Sequence, residues 1–366
     1  MNKMNDVAFE KGTVKCKITH GKIYYIMQDR TTKTSQSSFF RRRNVAIISF
    51  AIGILVTTIS AYFFHWNRIE SATNHTPPYE IKRLSTYKNI RPIISVEPKE
   101  ESPNLKNTKV ALVSLIDSLK EEGTLKDASI YLRKTSTSEW VSINDTIRYH
   151  PASLMKVALM LAWLKSAEAV PGTLEKKLTA KIDAAKLSSN TYFKAPSIEN
   201  DQEYTVHDLI YYMIANSDNR ATSVLEQNSD GSYVTMLLNQ LGLPPVQAEA
   251  NSYTLTASEY SMFIKAIYNS TFNSPEYSQY ASEMMENSTF KEGFAKGFPK
   301  GTKMWHKFGE WSAEGLPNEL HQSGVVVIGD NQYILTIMTR GLGFDNLIKV
   351  LAMLSNRVYS STMKFS

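Results

Sequence analysis

The sequence predicts an α+β fold. One antiparallel sheet is flanked by N- and C-terminal helices, an all-helical region is inserted between its early and late strands, and one transmembrane helix precedes the whole. Three observations carry that expectation. Strand-like runs occur near residues 128–144 and again from about 304 onward, but not between. The stretch between them reads as successive helices, with apolar residues recurring three and four apart. Val45 to Phe64 is a charge-free apolar run, about 30 Å long as a helix, which is the thickness of the bilayer hydrocarbon.

In chain order, residues 1–43 form a basic tail with ten Lys/Arg and three Asp/Glu. The remaining residues carry 31 basic and 32 acidic side chains, so the net charge of +6 belongs to the tail. A nucleic-acid partner loses its main support. Arg41, Arg42 and Arg43 precede the apolar run, and Tyr62 and Trp66 sit where interfacial aromatics are expected. Residues 44–66 therefore read as an uncleaved signal anchor in the lipid bilayer, with a cytoplasmic N-terminus and all later residues outside the cytoplasm. Cys16 is the only cysteine, so no intramolecular disulfide can form. Residues 67–104 read as a Pro-containing linker, with Pro77, Pro78, Pro92, Pro98 and Pro103 interrupting any helix.

The main domain is expected over 105–366. Leu112, Leu115, Ile116 and Leu119 repeat at helical spacing, and Gly123 ends that helix. Strands follow at Ala128 to Lys134 and Glu139 to Asn144. Helices are expected over roughly 154–168, 206–215, 219–227, 233–241, 257–268 and 275–286. Thr205 with Asp208, and Thr256 with Glu259, resemble capping boxes that set two of those starts. Strands return at "MWHKFGEW", "SGVVVIG" and "QYILTIMTRG", and a last helix covers about 345–358.

The chemistry-bearing residues are found by context. Ser-x-x-Lys occurs at Ser85, Ser153, Ser288 and Ser361. Only Ser153 heads a strongly apolar run, Val157 to Leu164, so its helix should be buried along its length. Residues i and i+3 share a helix face, which puts Lys156 beside Ser153. A buried lysine with a depressed pKa can take the proton of a serine hydroxyl. Two further pieces follow: Ser217-Asp218-Asn219 after an apolar helix, and Lys307-Phe308-Gly309 on a strand. Singly, each has a plain structural reading: an N-cap, a snorkelling lysine, a turn, a solvated strand lysine. No His-Glu-x-x-His or other metal-ligand spacing is present, and no Gly-x-Ser-x-Gly elbow. Neither a metal nor a cofactor is expected.

The order Ser-x-x-Lys, Ser-x-Asn, Lys-x-Gly resembles the penicillin-recognising serine hydrolases, class A β-lactamases most of all, over about residues 105–366. The resemblance implies that Ser153 is the acylated nucleophile and Lys156 its general base. It implies that Ser217 relays a proton to the leaving nitrogen, that Asn219 holds the substrate's amide side chain, and that Lys307 supplies positive potential near the substrate carboxylate. Gly309 would let the strand approach the substrate, and the backbone N–H groups of Ser153 and Glu310 would form an oxyanion hole.

Two departures bear on function. The family's deacylating glutamate, in a long Glu-x-x-Leu-Asn loop, has no counterpart in "GLPPVQAEANSYT", where Glu249 is the one acidic residue that could substitute. Phe308 replaces the usual Thr or Ser, and Glu310 adds a negative charge. The expected substrates are β-lactams or D-alanyl peptide amides of the cell wall. The alternatives are a slowly deacylating penicillin-binding peptidase, or a non-catalytic module that senses wall fragments or β-lactams.

Overall fold

The computed structural model describes residues 7–9, 12–19, 22–27, 50, 53–62, 79–83, 93–182, 192–246 and 253–364. They fall in two compact units, Met1–Thr76 and Pro77–Ser366. In the first, β1 (Val7–Phe9), β2 (Gly12–Thr19) and β3 (Lys22–Met27) form an antiparallel sheet in that order. The basic segment thus has more order than its charge suggests. Val14, Cys16 and Ile18 alternate with Lys15 and Lys17, the period of a strand. A helix, α1, is described over residues 53–62, all of them exposed. Among the described residues, no helix is long and apolar enough to cross a membrane.

The second unit begins with a hairpin of β4 (Tyr79–Arg83) and β5 (Ile93–Pro98), inside the stretch expected to be a plain linker. Prolines break helices, yet they are tolerated at the ends and edges of strands. The hairpin docks through Glu97, whose carboxylate accepts from Arg133 Nη1 and Lys265 Nζ, both at 2.7 Å. Arg133 and Lys265 are buried. Without Glu97 both would be charges with little compensation in a dry interior.

Helix α2 (Lys106–Glu121) leads into β6 (Asp127–Lys134) and β7 (Trp140–Ile143). A single 3-10 turn, Ala152–Met155, opens α3 (Lys156–Ala169). The helical region continues through a short hairpin, β8 (Lys177–Thr179) with β9 (Glu203–Thr205). Then come α4 (Val206–Ala215), α5 (Asn219–Gln227), α6 (Ser232–Leu241), α7 (Ala257–Tyr268) and α8 (Pro275–Glu286). The expected capping boxes at Thr205 and Thr256 are both formed. A one-turn helix, α9 (Phe294–Gly297), precedes β10 (Met304–Trp311), β11 (Asn318–Ile328), β12 (Asn331–Gly341) and α10 (Phe344–Lys364).

Five antiparallel strands make one sheet in the order β10-β11-β12-β6-β7, so the first and last strands of the domain meet in its middle. Both faces are covered, and strand alternation divides the core. Ile130, Leu132, Leu335 and Ile337 pack with α2 and α10. Tyr131, Ile334 and Met338 pack against the helical region. Helix α3 is the axis of that region, with Lys156 and every residue from Val157 to Leu164 buried. β10 is an edge strand, and it runs along the seam between sheet and helices.

Candidate active site

The site lies on that seam. Ser153 sits in the 3-10 turn and caps neither that turn nor α3, which removes the N-cap reading. The preceding residue, Ala152, has φ +49°, a left-handed conformation rarely held by a residue with a Cβ. The chain entering the turn is fixed from behind by a buried carboxylate. Glu319 Oε2 accepts from the His150 backbone N–H at 2.8 Å, and Glu319 Oε1 accepts from Arg340 Nε at 2.8 Å. Hydrogen bonds with its neighbours hold the Glu319 carboxyl down at about 2 despite burial. The Arg340 guanidinium also donates to Arg148 O at 2.7 Å, and His150 stacks on Trp311 at 3.9 Å.

From the other side, β10 presses on the same turn at Gly309. A Cβ there would come within 2.7 Å of Pro151 O and 3.0 Å of Leu154 N. What the glycine admits is therefore the backbone of the turn that carries Ser153, which the sequence alone did not show. The turn is tied inward as well, since Tyr260 OH donates to Leu154 O at 2.9 Å.

Lys156, the first residue of α3, is buried under this turn. Its amine donates to Ser217 O at 2.6 Å, Asn219 Oδ1 at 2.7 Å and Ser217 Oγ at 3.3 Å. Burial lowers its pKa to about 7, against the opposing pull of Asp218, Glu226 and Glu310. Lys307 arrives from β10 and donates to Ser217 Oγ at 2.7 Å and Phe308 O at 3.0 Å. Fully buried, it too is held well below the usual lysine range, first by desolvation and then by Lys156. Ser217 is itself left-handed, at φ +56°. Both lone pairs of its hydroxyl are taken by the two amines, so its proton is left to donate into the cleft. Asp218 caps α5 by accepting from Arg220 N, which fixes Asn219 at the first position of that helix.

Ser153, Lys156, Ser217, Asn219, Lys307, Gly309 and Glu310 are thus gathered from a turn, two helices, the loop between α4 and α5 and an edge strand. Glu249 lies outside the described residues. Phe308 is buried, with the Lys307 amine over its ring at 4.3 Å from the centroid, and it stacks on Phe290 at 4.2 Å and lies edge-on to Phe193 at 5.5 Å. The Glu310 carboxylate accepts from the backbone N–H groups of Tyr192 and Phe193 at 3.0 and 3.4 Å, and burial raises its pKa.

Sequence reasoning missed Glu226. A cavity of about 520 Å³ lies against the nucleophile turn, lined by His150, Ala152, Met155, Val234, Tyr253 and Trp311 among others. Glu226 is its one acidic lining residue among those described. It is seven residues, two helical turns, after Asn219 and so lies on the same face of α5. Glu226 is an exposed residue, yet desolvation of its carboxyl raises its pKa while Lys156 opposes that rise. The i, i+7 relation to Asn219 was the one available signal.

Over residues 112–362 the sequence matches the family described as the β-lactamase enzyme family. A search of curated proteins finds no match. Among solved structures the domain is similar to PBP-A, at 19% identity and a TM-score of 0.60, covering 72% of this chain and 98% of that one. A mutant of PBP-A, solved as an acyl-enzyme complex with penicillin G, shares 17% identity at a TM-score of 0.57, covering 70% and 97%. A class A β-lactamase from Bacteroides cellulosilyticus gives 19% and 0.59, covering 70% and 98%. At these identities the likeness is one of fold.

Proposed function

The chain belongs to the β-lactamase enzyme family, and from that premise we propose that it is a serine hydrolase acting on amides and cyclic amides through an acyl-enzyme at Ser153. The observation that carries this reading is the pairing of two buried lysine amines on one serine hydroxyl beside the Ser153 turn. Burial lowers the Lys156 pKa to about 7, which suits it to act as a base near neutral pH. Ser153 Oγ attacks the acyl carbon and its proton passes to Lys156. Ser217 gives its own proton to the leaving nitrogen as the carbon–nitrogen bond breaks, and is reprotonated from the lysines. The oxyanion faces the backbone N–H groups of Ser153 and Glu310. With its oxygen held by Lys156, Asn219 keeps its NH₂ for a substrate carbonyl.

Release of the acyl group needs a water and a base. The cavity lined by Pro151, Ala152 and Met155 has room for water, and Glu226 is the acidic residue among its described lining. β-Lactams and D-alanyl peptide amides are the substrate classes that this chemistry accommodates.

The domain is tethered outside the cytoplasm by residues 44–66. The charge-free run Val45–Phe64 behind three arginines supports this. So do the hydroxyls of Thr57 and Thr58, which donate back to carbonyls one turn earlier and so require no water. Protease added to intact cells should digest the domain while sparing the tail. Digestion only after lysis would refute the orientation.

Intact-mass measurement of the full chain with benzylpenicillin tests the central claim. A covalent adduct absent from Ser153→Ala is the expected result. No adduct with any β-lactam or acyl-D-alanyl ester would overturn it, and the lifetime of an adduct separates turnover from trapping.

A further inference from the structure

A short segment bridges the two halves of the site. At one end, Tyr192 N and Phe193 N donate to the Glu310 carboxylate on the edge strand, and Tyr192 OH donates to Asp345 Oδ1 at 2.6 Å. At the other, Ser197 Oγ and Ile198 N donate to the two oxygens of Asp218 at 2.8 and 2.9 Å, and Arg220 Nη1 donates to Ile198 O at 3.2 Å. Asp218 adjoins Ser217, and Glu310 lies three residues after Lys307. Residues 192–198 therefore form a strap beside the Ser217–Lys307 contact, pinned to the sheet on one side and to the helical region on the other.

The strap's inner residue completes an aromatic cluster. The Phe193 ring lies 4.8 Å from Phe290, 5.5 Å from Phe308 and 6.5 Å from Phe344, and Tyr192 lies 4.9 Å from Phe344. The Ser217–Lys307 contact thus adjoins a cluster of rings and one carboxylate. The buried cation there, Lys307, is committed to Ser217 Oγ, Phe308 O and the face of the Phe308 ring. Lys194 of the strap is exposed to solvent, so an anionic group bound there would lose its hydration without gaining a buried cation free of other partners, and would meet the charge of Glu310.

We propose that the strap Tyr192–Ile198, with Glu310 and Phe308, is a specificity element that restricts the leaving group to one without a free carboxylate. The site would take an internal amide or an esterified or amidated end in preference to a terminal carboxylic acid. This rests on Ser153 acylation as read above and adds no new step: the Ser153 Oγ–carbon bond forms, the bond to the leaving nitrogen breaks, and Ser217 protonates that nitrogen.

The test uses the full chain and matched pairs: benzylpenicillin against its methyl ester, and an N-acyl-D-alanyl-D-alanine against its C-terminal amide. Adduct formation is followed by mass. The neutral member should acylate at least about tenfold faster, as expected for one like-charge contact removed. The Glu310→Gln and Phe193→Ala variants should shrink that ratio by about tenfold, a change in preference that a purely structural loss would not produce. An equal or faster reaction of the free acid overturns the proposal. If no member of either pair acylates, it is the reading of Ser153 that fails. The strap is then judged by tryptic cleavage after Lys194, an exposed residue. Faster cleavage in Glu310→Ala than in the parent supports a pinned strap, and equal rates overturn it.

Discussion

Replacing Gly309 by alanine probes the contact on which the site is built. The added Cβ would lie 2.7 Å from Pro151 O and 3.0 Å from both Leu154 N and Leu154 Cγ. Two of those three atoms are backbone, so no side chain can simply swing aside. Ordinary contact needs about 3.4 Å or more, and relief means parting β10 from the 3-10 turn by roughly 0.5–1 Å. The turn resists, since Tyr260 holds Leu154 O and Glu319 holds the His150 N–H. Overpacking of this kind costs about 1–3 kcal/mol, which for a domain of this size lowers Tm by roughly 2–10 °C. The catalytic loss should be larger in proportion. Separating the Glu310 N–H from the Ser153 turn misplaces the oxyanion donors, and an error near 1 Å can cost about 10²-fold. Thermal unfolding of the full chain, with adduct formation by a β-lactam ester, measures both. An unchanged Tm together with unchanged acylation would refute the close approach and the shared oxyanion site built on it.

Two further outcomes follow from the buried groups. Acylation should rise with pH through about 7, as Lys156 loses its proton, and a flat profile from pH 6 to 8 would remove Lys156 as the base. The sign for stability is the same. The unfolded chain keeps that proton up to its ordinary value of 10.5 while the folded chain releases it from about 7. Between those values the unfolded state binds more protons, so this group makes stability rise with pH. Substituting Glu226→Gln should slow loss of the acyl group by about 10²–10⁴-fold, the usual contribution of a general base. An adduct lifetime equal to the parent's would exclude Glu226.

The sequence exposed the parts of the fold that are written locally. Thr205 with Asp208 and Thr256 with Glu259 fix two helix starts through side chains three residues apart, and both caps are present. Lys156, Ser217 and Lys307 could be listed in order because each motif is short, and the fold converges them on one hydroxyl. What was not legible depends on contacts between distant segments. The β4–β5 hairpin is specified by Glu97 meeting Arg133 and Lys265, 36 and 168 residues away. Residues 192–198 have no periodicity to read, and their order comes from Glu310, Asp345 and Asp218. Glu226 is an exposed glutamate, and only the fold shows that it lines the cavity beside Ala152 and Met155.

Of the six non-glycine residues with left-handed backbones among those described, two lie at the candidate site. Ala152 precedes the proposed nucleophile and Ser217 is the proposed proton donor, and both hold left-handed backbones without being glycine. Such conformations cost about 1–3 kcal/mol each and persist only where the surroundings over-determine them. Here the surroundings are identifiable. Ala152 is gripped between the Glu319–Arg340 pair behind it and Gly309 in front, while the Ser217 carbonyl and hydroxyl are both held by Lys156. A glycine at either place would relax the backbone, yet it would also let the turn wander in the unfolded and folded states alike. Keeping a Cβ at both positions while loading them with buried hydrogen bonds trades stability for a fixed distance between nucleophile and proton donor. That trade is expected of a site that transfers protons, and it gives no benefit to a turn that merely opens a helix.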